Sequence, residues 1–545
     1  MVKKTLCFLI SIGFILHPSI CRAQLNINNA PVYIKEGTTV AVLGNLMGNT
    51  NVTGQGKLLL NGTANQLVDF NGFSVPGLEI NNGNNITLAS HLQIGSQFIF
   101  TEGKLVTGDY NLRLSDTAVV SGQGTGRFFE TNGTGQLQKR ISSNLFDYPL
   151  PVGSENIYTP VKITAAGNFS DAIVGVQARH AVHPEKHIRS TDYLGNYWSF
   201  TRSGINGALS AKAQYEETAG VTGAESLLNG VFWNGAAWDL SGSFINTSSN
   251  EAGTSITGNG DLYAMNKFVL TGLKVFLQGP FNSLTGLMDD KLRNPGTYAA
   301  GTFPAGNLLP LSDPYRTAPL NSSFTHINNP ETETIADSVL NDQSDPAKNI
   351  VDWVFLELRN NDSGNPGANI VQTRSALLRR NGEIVDIDGS SPVYFKGMEA
   401  GSNYTIAVRH RNHLGISTDP VSNMQSLGLA APISPIDFTS MDDAAIFGPS
   451  TACAITAGKN TLWAGNVNSN NTIRYNGPSN DRDYLLSNIL NSNQGAILND
   501  VYNTGDINMN RVVRYNGPSN DRDYLLSVPL DANQGNIRTA ALPVN

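Results

Sequence analysis

The sequence predicts a mostly β, multidomain protein that ends in a small helical module. Three observations point there. Short apolar runs alternate with polar residues between Asn- and Gly-rich corners along most of the chain, the period of a half-buried strand. Glycine is frequent, 54 of 545 residues, as many tight turns require. The segment RYNGPSNDRDYLLS occurs twice, at Arg474–Ser487 and Arg514–Ser527, and each copy reads as a turn followed by a short helix.

Residues 1–23 carry the pattern of an export signal peptide. Lys3 and Lys4 precede an apolar run, Leu6–Leu16, that is too short to span a bilayer. Cys21-Arg22-Ala23 then leads to Gln24, before which cleavage is expected. The mature chain is therefore expected to be secreted or on the outer cell surface, with no membrane span. Cleavage removes Lys3, Lys4 and Arg22 and no acid, so the net charge falls below the −8 of the full chain. That balance argues against a nucleic-acid partner. Cys453 alone remains after cleavage, so no intramolecular disulfide is expected.

Residues 24–126 hold short alternating runs such as LLL at Leu58, GLEI at Gly77, NITL at Asn85 and NLRL at Asn111. Turns at such close intervals suit a small β-solenoid, in which each coil stacks its apolar face on the next. Its acids, Asp69, Glu79, Glu102, Asp109 and Asp116, are scattered and read as solvated turn residues. Residues 127–271 carry longer strands, among them YTPVKI at Tyr158, AIVGVQA at Ala172 and ALSAKAQY at Ala208, and read as a β-sandwich. Trp233 and Trp238 read as core or lid residues there. The motif HAVHPEKH gathers His180, His183 and His187, but Pro184 forbids a regular helix, and an exposed loop is expected rather than a zinc site.

Residues 272–458 read as a second, Ig-like or fibronectin-like sandwich. A Pro/Asn/Asp-rich excursion runs to Lys348, followed by strands VDWVFLELR from Val351, ANIVQTRSALL from Ala368, PVYF from Pro392 and YTIAVRHRNH from Tyr404. VDIDGSS offers Asp386, Asp388 and Ser390, which read as a tight turn capped by its own side chains. Arg409, His410, Arg411 and His413 make a basic strand end with no nucleophile or carboxylate beside it in sequence, so no hydrolase site is expected.

Residues 459–545 form the repeat module. In the second copy Asp506, Asn508 and Asn510 stand at alternate positions, and Val512 follows where a backbone carbonyl would serve. Oxygen donors so spaced, ahead of a helix, suit a calcium ion. Two features depart from an EF-type loop: Arg511 stands at the central glycine position, and Gly517 stands where the last carboxylate belongs. That carboxylate is expected from Asp521 or Asp523. The first copy has Asn466, Asn468 and Asn470, with Asp481 or Asp483 as its source of charge, and is expected to bind more weakly or stay empty. The competing reading of Asn520-Asp521-Arg522-Asp523 is a helix cap with acids in the first turn. Helices are expected over 481–490 and 521–530, their leucines packed together.

At these residues the tail resembles the dockerin type I fold, a pair of calcium loop–helix units. GDINMNRVVRYNGPSNDRDYLL, with RSALLRRNGEIVDIDG, RHRNHLG and NIRTAALP, is similar to a group of secreted Bacteroidota proteins described as hemagglutinin-like. The resemblance implies a surface or secreted β-rich protein, with calcium as cofactor and an unidentified surface protein or glycan as partner. The inserted turn YNGPSN departs from the dockerin pattern, so a cohesin partner is not expected. The leading expectation is a non-catalytic adhesin or scaffold. The alternatives are a glycan-binding or glycan-degrading accessory protein anchored through its tail, and a hydrolase assembled from distant acids.

Overall fold

The computed structural model of the chain describes residues 24–187, 189–216, 220–293, 306–361, 365–428 and 435–543. The expected signal peptide lies outside the described residues. The protein is mostly β, with 44% strand and 7% helix. Among the described residues no helix is long and apolar enough to cross a membrane. The chain divides into two units, the first formed mainly by residues up to Met265 and the second mainly by Asn266–Asn545.

The first unit begins with a β-solenoid. Parallel strands stack coil upon coil, each advancing roughly 20 residues. Ile86 pairs with Leu105, Leu105 with Phe129, and Phe129 with Val152. All four are fully buried, so this column is the core that no single coil could bury alone. A second column runs Leu58, Leu78, Phe98, and the Phe98 and Phe129 rings meet at 4.6 Å between centroids. Buried Gln66 ties neighbouring coils together, accepting from Gly62 N and Asn82 Nδ2 and donating to Val42 O. Gly54 sits at φ +110°, where a Cβ would fall 2.0 Å from Ile34 O; only glycine allows coils to approach so closely there.

Parallel stacking continues past residue 126, through Leu112 on Leu137 and Phe129 on Val152. The sheet then turns antiparallel: Leu137–Ile141 also pairs with Ala172–Val176. Two long strands, Val161–Arg179 and Tyr197–Gln214, form one antiparallel ladder. His183 is buried, not in an exposed loop as the sequence implied, with its Nε2 3.1 Å from Asp261. His187 belongs to the second unit and stacks on Tyr394.

The second unit is built on an antiparallel sheet. Its strands run in the order Ile416–Ser417, Asn403–Arg409, Ile350–Asn360, Asn369–Arg379, Glu383–Val385, Leu273–Lys274, Ile436–Asp437, with only the last pair parallel. The strand Ile350–Asn360 is buried on both faces. The preceding excursion supplies one cover: Tyr315 Oη donates to Trp353 O, and Trp353 Nε1 donates to Pro310 O. Asp388 accepts the N–H groups of Ser390 and Ser391, so VDIDGSS is a side-chain-capped turn.

The tail folds as an interlocked pair. Thr472–Arg474 in the first repeat pairs with Ile537–Thr539, which follows the second helix. Val512–Arg514 in the second repeat pairs with Ile497–Asn499, which follows the first. Each repeat thus completes its strand pairing with the other. Leu485 and Leu525 share one core with Ile473, Val513, Tyr475 and Tyr515. Only the second helix is clearly shorter than expected. The second spans Asp521–Ser527 because Pro529 offers no N–H to prolong it. The first, Asp481–Tyr484, passes into a wider turn over Leu485–Ile489.

Candidate cation-binding loops and their anchorage

Asp506 opens the second loop with its side chain fully buried. Its Oδ1 accepts the N–H of Asn510 at 2.9 Å, and its Oδ2 that of Arg511 at 2.8 Å. Asn508 Oδ1 also accepts from Asn510 N, and Asn510 Oδ1 from Val512 N. The alternate-position oxygens therefore line one tight curl, made by left-handed backbone at Met509 and Arg511, φ +54° and +80°. Arg511 holds a conformation that favours glycine because its guanidinium is heavily engaged. It donates to Lys291 O, Leu292 O and Gly306 O and pairs with Asp500.

The structure separates the two acids that the sequence left as alternatives. Asp521 is fully buried and points back into the loop, accepting Ile507 N at 2.9 Å and Arg514 N at 3.0 Å. Asp523 is exposed and belongs to the helix cap: Asn520 Oδ1 accepts Asp523 N, and Asp523 pairs with Arg522. The first repeat is divided alike, with Asp481 buried on Val467 N and Arg474 N, and Asp483 exposed beside Arg482. The loop-facing and the helix-capping carboxylates are thus different ones, and Asp483 and Asp523 do not enter the loops.

Burial raises the second loop's carboxylates, Asp506 to about 6 and Asp521 well above the ordinary range, and the Asp506 charge adds to the rise at Asp521. Two desolvated acids facing one curl leave negative charge that a cation would satisfy. In the first loop only Asp481 is acidic, and burial raises it to about 7. Asn466 replaces the leading acid there; it is buried, and its Oδ1 has no hydrogen-bond partner. Asn468 and Asn470 donate their amides to Ser479 O. Among the described residues no group of three or more His, Cys, Asp or Glu side chains is placed to hold a metal ion, so any cation held here would rely on amide and backbone oxygens beside the acids.

The segment ahead of Asp506 is fastened to the sheet by RHRNH, whose role the sequence did not disclose. Asn412 Nδ2 donates to Thr504 O and Asp506 O. Arg411 Nη1 donates to Asn503 O, and its Nε donates to Asp352 Oδ2 at 3.0 Å. Asp352 also meets His410 Nε2 at 3.1 Å and accepts from Tyr502 Oη at 2.7 Å. Burial alone would raise Asp352, but Arg411 and His410 bring it down to about 2. The sequence reading found no carboxylate for this basic strand end; the partner is Asp352, on another strand. The remaining hydrogen bonds of His410 run to His413 and to Asn412 N, not to a hydroxyl or thiol. Buried Cys453 has its thiol pushed up to about 12. Comparison with family models, curated proteins and solved structures finds no match to the chain.

Proposed function

We propose that the chain is a secreted or cell-surface, non-catalytic adhesin or scaffold whose C-terminal loop–helix pair is stiffened by calcium. One observation carries the calcium reading: Asp506 and Asp521, both fully buried, converge on a single loop. Burying two acids on one loop is costly, and a hard divalent cation relieves that cost. Asp506, Asn508, Asn510 and Asp521 would hold the ion in the second loop, and Asn466 and Asp481 would contribute in the first. The ion supplies charge compensation and cross-links each loop to its helix.

The interlocked strand pairs and shared leucine core support a dockerin-like module, and the antiparallel ladders of residues 137–266 and 273–437 support two sandwich domains. The non-catalytic reading rests on the buried Asp352–His410 pair, which serves as an anchor for the tail and faces no nucleophile. Differential scanning calorimetry of the mature chain tests the metal. Millimolar calcium is expected to raise Tm relative to EDTA, and Asp506→Asn to remove most of the rise. An unchanged Tm in calcium would withdraw the metal.

A further inference from the structure

A cavity of about 620 Å³ opens in the second unit where the excursion of residues 310–320 meets the tail. Its wall mixes ring faces and apolar surface with short polar side chains: Tyr484, Tyr502, Pro319, Thr317, Asn488 and Arg411. Arg411 is 1% exposed, and its Nη2 has no hydrogen-bond partner. A buried donor left unpaired beside a cavity calls for an acceptor oxygen brought by a ligand. The charge of that guanidinium is already matched by Asp352, 3.0 Å from its Nε. Its plane is fixed over the Tyr502 ring, with Cζ 4.5 Å from the centroid. The vacant N–H therefore favours a neutral acceptor over a second anion, which would repel Asp352. Aromatic faces with amides and hydroxyls around them suit the apolar face and hydroxyl rim of a pyranose ring.

A second, more polar groove of about 470 Å³ shares Tyr484 and Asn488 with this cavity and continues over Asn468, Asn470 and Ser487. From the free guanidinium donor, the aromatic wall and this polar extension, we infer that the cavity binds the end of a neutral saccharide chain, with further residues of the chain lying along the groove. The inference deepens the non-catalytic recognition reading given above and rests on it.

Isothermal titration of the full mature chain tests the site, with the methyl glycosides of glucose, galactose, mannose and N-acetylglucosamine as neutral probes. Glucuronate and N-acetylneuraminate serve as acidic probes. At least one neutral glycoside is expected to bind saturably, and its reducing-end-extended disaccharide more tightly. Tyr484→Ala is expected to weaken binding at least about tenfold. Thr317→Trp, which fills the cavity from an exposed position, is expected to do the same with Tm unchanged. Binding of acidic sugars alone, binding that survives both variants, or no binding of any neutral probe would overturn the inference. The calcium response is measured on the same samples, so loss of sugar binding with calcium stabilisation intact sinks this site and leaves the module. Sugar bound and then cleaved, seen as new reducing ends, keeps the site and overturns the non-catalytic reading.

Discussion

Tyr502 donates its hydroxyl hydrogen bond to Asp352 at 2.7 Å, joining the tail to the central strand of the second unit across 150 residues of sequence. Asp352 is fully buried and is also held by Arg411 and His410. The repeat module is therefore fastened to the sheet through a charged network.

Breaking one member should be felt by both elements. Tyr502→Phe removes a hydrogen bond to a buried charge and is expected to cost about 1.5–3 kcal/mol, seen as a lower urea midpoint. Tail and sheet are also expected to open together. Hydrogen exchange of peptides around Ile473 and around Val354 should report one opening free energy. A tail that exchanges at a much lower free energy than the sheet would contradict the anchorage.

The second loop should make stability depend on pH in opposite directions with and without metal. Folding raises Asp506 from the ordinary 3.8 to about 6, and Asp521 further. The folded state then binds more protons than the unfolded one above pH 4. In EDTA this contribution is complete below about pH 4 and is lost as pH rises through about 6 and beyond. For Asp506 the loss is at most about 3 kcal/mol. Asp506→Asn should accordingly flatten the pH dependence of the metal-free protein while removing its response to calcium. The calcium response of the unmodified chain should fade as pH drops through 6, because protons compete for the same oxygens. Melting curves at pH 5 and pH 8, with and without calcium, check both signs.

How much of this was legible depends on the range of the interaction. The solenoid rungs follow from local alternation, since columns such as Ile86–Leu105–Phe129 need only one apolar residue per coil at the right place. That the rungs run on past residue 126 was not legible, because alternation is the same for parallel and antiparallel partners. Leu137–Ile141 takes one of each. The division between Asp521 and Asp523 was within reach. Two residues on a helix differ by roughly 200°, so one faces the loop and the other faces water. The Asp352–Arg411 anchor left only a faint trace, a lone acid in the apolar run VDWVFL, and its partners come from distant segments.

Arg511 tests whether an unfavourable backbone is offset by side-chain bonds. At φ +80° any residue with a Cβ is strained. Arg511→Gly relieves the strain but loses the bonds to Lys291 O, Leu292 O and Gly306 O, whereas Arg511→Ala loses the bonds and keeps the strain. Both are expected to destabilise the fold, alanine by about 1 kcal/mol more than glycine. Urea titrations of the two variants in EDTA give the difference directly. Equal losses would mean that the left-handed backbone carries no cost.

The first loop offers the sharpest substitution. Asn466 occupies the position that Asp506 holds in the second repeat, and its Oδ1 is buried without a partner. Asn466→Asp restores a leading carboxylate opposite Asp481, which is already raised to about 7 by burial. Without metal, the second buried charge should raise Asp481 further and lower Tm at pH 8. With calcium, the same pair should hold an ion more firmly than the native loop does, so Tm should recover and pass that of the unmodified protein. Calorimetric titration should then resolve one additional tight site per chain. A variant that stays destabilised at saturating calcium would show that the first loop cannot close around an ion, and would confine the metal to Asp506 and its neighbours.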